Sequence, residues 1–114
     1  SVTLVDWQGL GRGPAGWDLA YLMSQCLTVD DRQVHEAELL DHYRVELADA
    51  GCQATAEEVR EGYAEAMLFG LVIACALPLI SDEDEERVVQ LAGVFARRSI
   101  EALRDHDQLW PTGP

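Results

Sequence analysis

No charged residue occurs between Ala66 and Ile80, and this run limits what the chain can fold into. Apolar and small residues recur in it, and just before it, at the spacing of one helix face; they are Val59, Tyr63, Ala66, Gly70, Ala74 and Leu77. The run is shorter than the roughly 20 residues that span a membrane, and Pro78 is expected to end it. The sequence therefore predicts a central, buried helix, in which Gly62 and Gly70 permit close packing against a neighbour.

Local signals mark the ends of this helix and of the one before it. Thr55 followed by Glu58 has the spacing of a capping box and predicts the start of the central helix. The preceding helix is predicted to start at Asp30 or Asp31 and to end before Gly51, which supplies the usual left-handed stop. Short connections of this kind are typical of an all-α bundle.

The preceding helix is predicted to have one core face and one solvated face. Its core residues are Ala37, Leu40, Tyr43 or Arg44, Leu47 and Ala48. Its solvated residues are Glu36, Glu38, Asp41, His42, Glu46 and Asp49. His35 and His42 are seven residues apart, whereas a metal-binding pair on a helix has closer spacing, so both are predicted to be surface histidines.

The last helix is predicted to start at Ser81, because the acidic run from Asp82 to Glu86 suits the positive end of the helix dipole. The acidic run could instead dock a cationic substrate, but a helix start is the simpler interpretation. Its inward-facing residues are predicted to be Val88, Leu91, Ala92, Phe95, Ser99 and Ala102. Residues 111–114 are predicted to form a tail after the bundle.

Charge and cysteine content restrict the possible partners. The chain has 21 acidic and 8 basic residues, for a net charge of −13, which disfavours binding to nucleic acid or to an anionic membrane. Such a charge suits a cationic substrate or an ordinary soluble acidic surface. Three cysteines without a Cys-x-x-Cys pair indicate a reducing compartment, the cytoplasm. Cys26 and Cys75 are predicted to be buried, and Cys52 to be accessible.

The stretch from Leu4 to Tyr21 carries most of the chemistry. Asp6 and Asp18 lie on either side of a run that is rich in glycine. Apolar residues before Asp6 predict a short strand that ends there, and a helix is predicted after the loop, with the stripe Leu19, Leu22, Met23, Cys26 and Leu27. From the residues alone, Asp6 is either a turn aspartate or a ligand of magnesium, which prefers carboxylate oxygens. Asp18 is a helix-start carboxylate that can accept hydrogen bonds from backbone N–H groups.

These residues resemble the segment that follows the catalytic loop in aminoglycoside phosphotransferase-like kinases. Asp6 with Trp7 is similar to the aspartate and aromatic residue that close a strand in that family, and Asp18 opens an Asp-Leu-Ala sequence similar to the family's next helix start. Gln8 and the Asp-Leu-Ala-Tyr sequence resemble the ecdysteroid-kinase-like branch most. The resemblance is specific over residues 4–22 and loose over the helices beyond.

The resemblance implies the C-terminal helical part of an ATP-dependent phosphotransferase that acts on a hydroxyl of a small molecule. Asp6 would bind Mg²⁺ against the phosphates of ATP, Asp18 would anchor the catalytic loop, and Trp17 and Tyr21 become candidates for the substrate pocket. The family's catalytic loop, His-x-Asp-x-x-x-x-Asn, does not occur in the sequence. We therefore expect a fragment that is inactive by itself, binds no cofactor tightly and carries no catalytic base.

The resulting prediction is one all-α domain of about four helices over residues 1–114. Residues 1–13 would form a strand remnant and metal-binding loop, residues 14–110 the helices, and residues 111–114 the tail. A homodimer of the fragment is possible, because cutting it from a parent would expose apolar surface. The alternative from another class is a free-standing acidic helical module that binds a partner protein, in which both aspartates are only structural.

Overall fold

The computed structural model describes residues 2–3, 11, 16–82 and 84–106. Four helices and one π-helical turn occur in these residues: α1 Trp17–Tyr21, the π turn Leu22–Cys26, α2 Val29–Asp49, α3 Ala56–Ile80 and α4 Glu85–Asp105. The all-α prediction is confirmed, and no strand occurs in the described ranges. Most of the predicted N-terminal strand lies outside them, as does the tail.

Two of the predicted helix boundaries are confirmed by their hydrogen bonds. Thr55 Oγ1 accepts from Glu58 N at 3.1 Å, and Glu58 Oε2 accepts from Thr55 N at 2.8 Å, which completes the capping box of α3. Gly51, just after α2, has a φ of +86°, a conformation that glycine adopts without strain. At the other end of α2, Thr28 Oγ1 accepts from Asp31 N, so α2 begins slightly earlier than predicted.

Two predicted boundaries are wrong. Asp84, not Ser81, is the N-cap of α4, since Asp84 Oδ1 accepts from Glu86 N at 3.0 Å. Ser81 instead follows α3 in an extended conformation. Pro78 does not end α3, which continues to Ile80. Pro78 lacks only the N–H that would donate to the carbonyl of Ala74, its fixed φ is compatible with a helix, and only two residues of α3 follow it, so the cost is confined to the last turns.

The core lies along α3, which packs mainly against α4 and α1. The buried cluster consists of Ala20, Met23, Tyr63, Ala66, Met67 and Ala102. Helix α2 adds only half-buried leucines, Leu39 and Leu40, and the predicted core residue Ala37 is exposed. The predicted face of α3 is confirmed except at Leu77, which is half-buried.

The π turn changes which side chains after α1 face the core. Met23, Ser24 and Gln25 are buried, while Leu22 and Cys26 are exposed, contrary to the predicted stripe. A π turn holds more residues per turn than an α-helix, so the helical spacing used for the prediction no longer applies. The predicted burial of Cys75 is also wrong, because Cys75 lies on the exposed side of α3.

By length and composition alone, α3 is the one helix of the described part that could cross a membrane, with 33% of its most apolar 18 residues buried in the protein. Core helices of soluble proteins have the same properties. Because one face of α3 packs against α1 and α4, the helix also fits the predicted central position.

Candidate functional site

The predicted site residues fall into two groups. Asp6 lies outside the described residues, whereas Trp17, Asp18 and Tyr21 all lie on α1. Asp18 is exposed in the first turn of the helix, and Tyr21 is 39% exposed at its end. The half-buried Trp17 ring packs nearly perpendicular to the ring of Phe69 on α3, with centroids 4.0 Å apart. Trp17 therefore fixes α1 to the core, and Asp18 and Tyr21 are accessible from solvent.

Close packing of backbone on backbone fixes the start of α1. A Cβ atom on Gly16 would lie 2.6 Å from the main chain of Gly62 and Tyr63, a distance that no side chain tolerates. Gly16 is therefore required where α1 meets α3. Two residues later, Asp18 extends from this rigid junction into solvent.

Asp18 also lies close enough to α2 to influence one of its side chains. Burial raises the pKa of Tyr43, and the negative charge of Asp18 raises it further. Asp18, at the surface, is thus near enough to Tyr43 for its charge to act on the hydroxyl. This position would allow it to accept hydrogen bonds from a neighbouring loop.

A second polar group, which the sequence analysis missed, joins α2, α3 and α4. Glu36 Oε2 accepts hydrogen bonds from Arg32 at 2.6 Å and from the Tyr63 hydroxyl at 2.8 Å. Glu36 Oε1 accepts from His106 Nε2, also at 2.8 Å. Arg32 pairs in addition with Asp105. We call Arg32, Glu36, Tyr63, Asp105 and His106 the Glu36 cluster.

Burial distinguishes this cluster from a surface ion pair. The Arg32 side chain is 2% exposed and that of Glu36 16%, and Tyr63 is fully buried. The prediction that Glu36 is solvated is wrong. Arg32 and Glu36 are four residues apart on α2, a spacing that predicts an ion pair along a helix. The spacing does not show whether that pair faces the core or the solvent.

The pKa shifts in the Glu36 cluster follow from these contacts. Burial alone would raise the pKa of Glu36, but hydrogen bonds from His106, Arg32 and Tyr63 lower it overall. Burial of Tyr63 and the adjacent Glu36 charge raise the pKa of the Tyr63 hydroxyl. Burial opposes the charge of Arg32, yet hydrogen bonds to Asp105 and Glu36 raise its pKa. The lowered pKa of Glu36 keeps it ionised near neutral pH, and the raised pKa values of Tyr63 and Arg32 keep them protonated, so these three groups are suited to hold the helices together.

A third polar contact lies beside the π turn. Gln25 Nε2 donates to Ser99 Oγ at 2.7 Å and to Ser24 Oγ at 3.1 Å, and all three residues are buried. Arg98 donates to the Gln25 carbonyl oxygen at 2.5 Å. A Cβ atom on Gly70 would lie 2.7 Å from Ser24 Oγ, so the prediction of close packing at Gly70 is confirmed. This contact joins the π turn to α3 and α4.

Comparison with known families identifies the chain's relatives. A family model described as "Uncharacterized oxidoreductase dhs-27", DUF1679, matches residues 2–103. The chain belongs to this family. It is a kinase-like family of the ecdysteroid-kinase-like type. No curated protein and no solved structure matches the chain.

In this kinase-like chain, the described residues do not by themselves assemble a metal site. Among residues 16–82 and 84–106, no three side chains of His, Cys, Asp or Glu are grouped to hold a metal ion. A magnesium site of the predicted type needs only one or two protein carboxylates, because phosphates and water complete the shell. The carboxylate predicted for that position, Asp6, lies outside the described residues, so its role stays a prediction.

Proposed function

We propose that the chain is the C-terminal helical part of an ATP-dependent phosphotransferase of the aminoglycoside phosphotransferase-like type. Its substrate would be a small molecule with a hydroxyl group, phosphorylated in the cytoplasm, where ATP is available. Membership of a kinase-like family supports the proposal. It rests on the residue pattern around Asp6 and Asp18 and not on the word oxidoreductase in the family's description.

The position of Asp18 is the observation that carries the proposal. Its carboxylate is exposed in the first turn of a helix that Gly16 and Trp17 fix to α3. A rigidly placed acceptor at such a position can hold backbone N–H groups of a second segment, which is the anchoring role implied by the resemblance. Because Gly16 and Trp17 pack the start of this helix closely against α3, a loop that binds Asp18 would be held in a defined position.

Asp6 would have a different role in the same reaction. In phosphoryl transfer a bound Mg²⁺ supplies positive charge to the phosphate oxygens as negative charge develops there. Asp6, followed by the aromatic Trp7, is the residue that would hold the ion. Trp17 is partly occupied in core packing, so the more exposed Tyr21 is the stronger candidate for contact with the substrate.

A matched pair of aspartates tests the role of Asp18. Asp18 and Asp30 are both exposed in the first turn of a helix, so replacing either with alanine removes a similar favourable interaction with the helix dipole. The protein encoded by the complete reading frame should lose most of its ATP-dependent turnover in Asp18→Ala and keep it in Asp30→Ala. Equal turnover in the two variants would contradict the anchoring role.

Asp6→Ala tests the metal role in the same protein. Turnover with a panel of hydroxyl acceptors should fall steeply while the thermal unfolding midpoint changes little, because a metal ligand acts on the transferred phosphoryl group. Calorimetry should show weaker binding of Mg²⁺ with ATP. Turnover within a few-fold of the unchanged protein would refute the assignment.

A helical interaction module is the second candidate, because α3 carries exposed apolar side chains, among them Leu68, Val72 and Leu79. The reading frame separates the two candidates. Codons for His-x-Asp-x-x-x-x-Asn shortly before Val2 would support the kinase. A start codon immediately before Val2 would support the module.

A further inference from the structure

The exposed side of α3 carries an unbroken line of apolar side chains. Leu68 is 50% exposed, Val72 53% and Leu79 85%, and Cys75 between them is also exposed. We call these four residues the α3 seam. The opposite face of the same helix, including Tyr63, Met67 and Ala74, is buried in the core. Helix α3 is thus apolar on two sides, and only one of them is covered in the described structure.

The spacing of the α3 seam is that of a helix pairing surface. Its members are separated by four, three and four residues, the alternation found at the apolar positions of a coiled coil. The seam is also symmetric about its centre. When a second copy lies antiparallel on it, Leu68 meets the partner's Leu79, and Val72 meets the partner's Cys75.

The charge distribution favours a second copy as the occupant. With a net charge of −13, contact between copies elsewhere on the surface would bring carboxylates together, whereas residues 66–80 contain no charge. The acids just beyond the seam, Glu65 and Asp82, disfavour an anionic lipid surface. An antiparallel arrangement also places the helix dipoles in opposite directions, which is their favourable orientation.

We propose that the α3 seam pairs two copies of this 114-residue chain across an antiparallel two-fold axis. The seam covers about three helical turns, or roughly 16 Å, so the interface is small and the dimer should be weak and dependent on concentration. At each end, Glu65 lies beside the C-terminal end of the partner's α3 at Ile80, where the helix dipole is negative. The repulsion between the two is screened by salt, so the dimer should tighten as ionic strength rises.

Sedimentation velocity over a range of concentrations and salt tests the seam. The unchanged chain should dimerise, and Val72→Glu should raise the dissociation constant about tenfold or more, because the interface would bury an unpaired charge. Val34→Glu is the matched control, since Val34 is also an exposed helical valine, on α2. A chain that stays monomeric at every salt concentration would overturn the proposal, as would equal weakening by Val34→Glu.

A variant that dimerises more tightly is an informative test, because misfolding can explain a loss of dimerisation but not a gain. Glu65→Lys would place a positive charge beside the negative C-terminal end of the partner's α3, so the dimer should tighten at low salt and then weaken as salt is added. The reversed salt dependence supports the antiparallel seam. Unchanged or weaker dimerisation at low salt refutes it.

Cross-linking tests the orientation in a chain that carries Cys26→Ser and Cys52→Ser. With Cys75 as the only remaining cysteine, mild oxidation should give little covalent dimer, because the two Cys75 residues are offset by three residues along the axis. Adding Val72→Cys should give efficient covalent dimers, since each new cysteine faces the partner's Cys75 within disulfide reach. Efficient cross-linking by Cys75 alone would overturn the antiparallel arrangement.

Phosphatidylcholine vesicles test the competing occupant, a lipid surface. A chain that dimerises in solution should not co-sediment with uncharged vesicles. A monomer that binds these vesicles and loses binding in Val72→Glu would overturn the proposal in favour of a membrane.

Discussion

Replacing Glu36 with glutamine should destabilise the fold more than any surface substitution on the same helix. The Glu36 carboxylate accepts from Arg32, Tyr63 and His106, whereas a glutamine offers one acceptor oxygen and no charge. Each hydrogen bond to a charged group contributes about 1.5–3 kcal/mol. Arg32 keeps its contact with Asp105, which limits the loss, so we expect about 2–4 kcal/mol.

Urea unfolding followed by circular dichroism measures this change. It should be done at a fixed low protein concentration, because association shifts apparent stability. Glu38→Gln is the matched control: Glu38 lies two residues away on α2, its side chain is 85% exposed, and its replacement should change stability by less than about 0.5 kcal/mol. The reasoning is refuted if Glu36→Gln and Glu38→Gln unfold at the same urea concentration.

The difference in stability between the unchanged chain and Glu36→Gln should also depend on pH. The pKa of Glu36 lies below its ordinary value of 4.5 in the fold, so its stabilising contribution is complete above that pH and is lost as the pH falls through the folded pKa. The stability difference between the unchanged chain and Glu36→Gln should therefore shrink as the pH falls below about 4.5. A difference that stays constant down to the acid transition would contradict the assignment of the shift.

The remaining predictions concern α1 and α3. Gly16→Ala should lower the free energy of unfolding by about 1–3 kcal/mol, because its Cβ would overlap the backbone of α3. Gly62→Ala is the control, since a Cβ there meets no atom within 4 Å, and it should stabilise the chain by up to about 1 kcal/mol. Equal thermal unfolding midpoints for the two variants would refute the close contact at Gly16. Thr55→Ala should lower the free energy of unfolding by about 0.5–2 kcal/mol, because it removes the N-cap of α3. Thr55→Ser keeps the hydroxyl and should cost much less. If the alanine variant is as stable as the serine variant, the cap contributes nothing to stability.

Local signals in the sequence determined the end of α2 and the start of α3, but not the end of α3 or the start of α4. The capping box of Thr55 and Glu58, and the left-handed Gly51 after α2, depend on residues only a few positions apart. The core face of α3 follows from helical spacing within one regular helix. For the same reason, the all-α class could be predicted without knowing how the helices pack.

Helical spacing failed where the local geometry changed. The stripe predicted for the first helix continued through Leu22 and Cys26, but the π turn between α1 and α2 exposes both and buries Ser24 and Gln25 instead. The partners of Gln25 include Ser99, 74 positions away in the chain. No local pattern contains that contact.

The candidate site shows the same division. Asp6 and Asp18 were identified by motif, and the position of Asp18 at a helix start followed from the neighbouring residues. The requirement for glycine at position 16 depends on the backbone of α3 at Gly62, and the burial of Glu36 depends on Tyr63 and His106.

The sequence alone determines features that arise from interactions within a helix turn. Which face of α2 is buried, and which face of α3 stays exposed, was decided only by packing between helices, because residues far apart in the chain supply the partners.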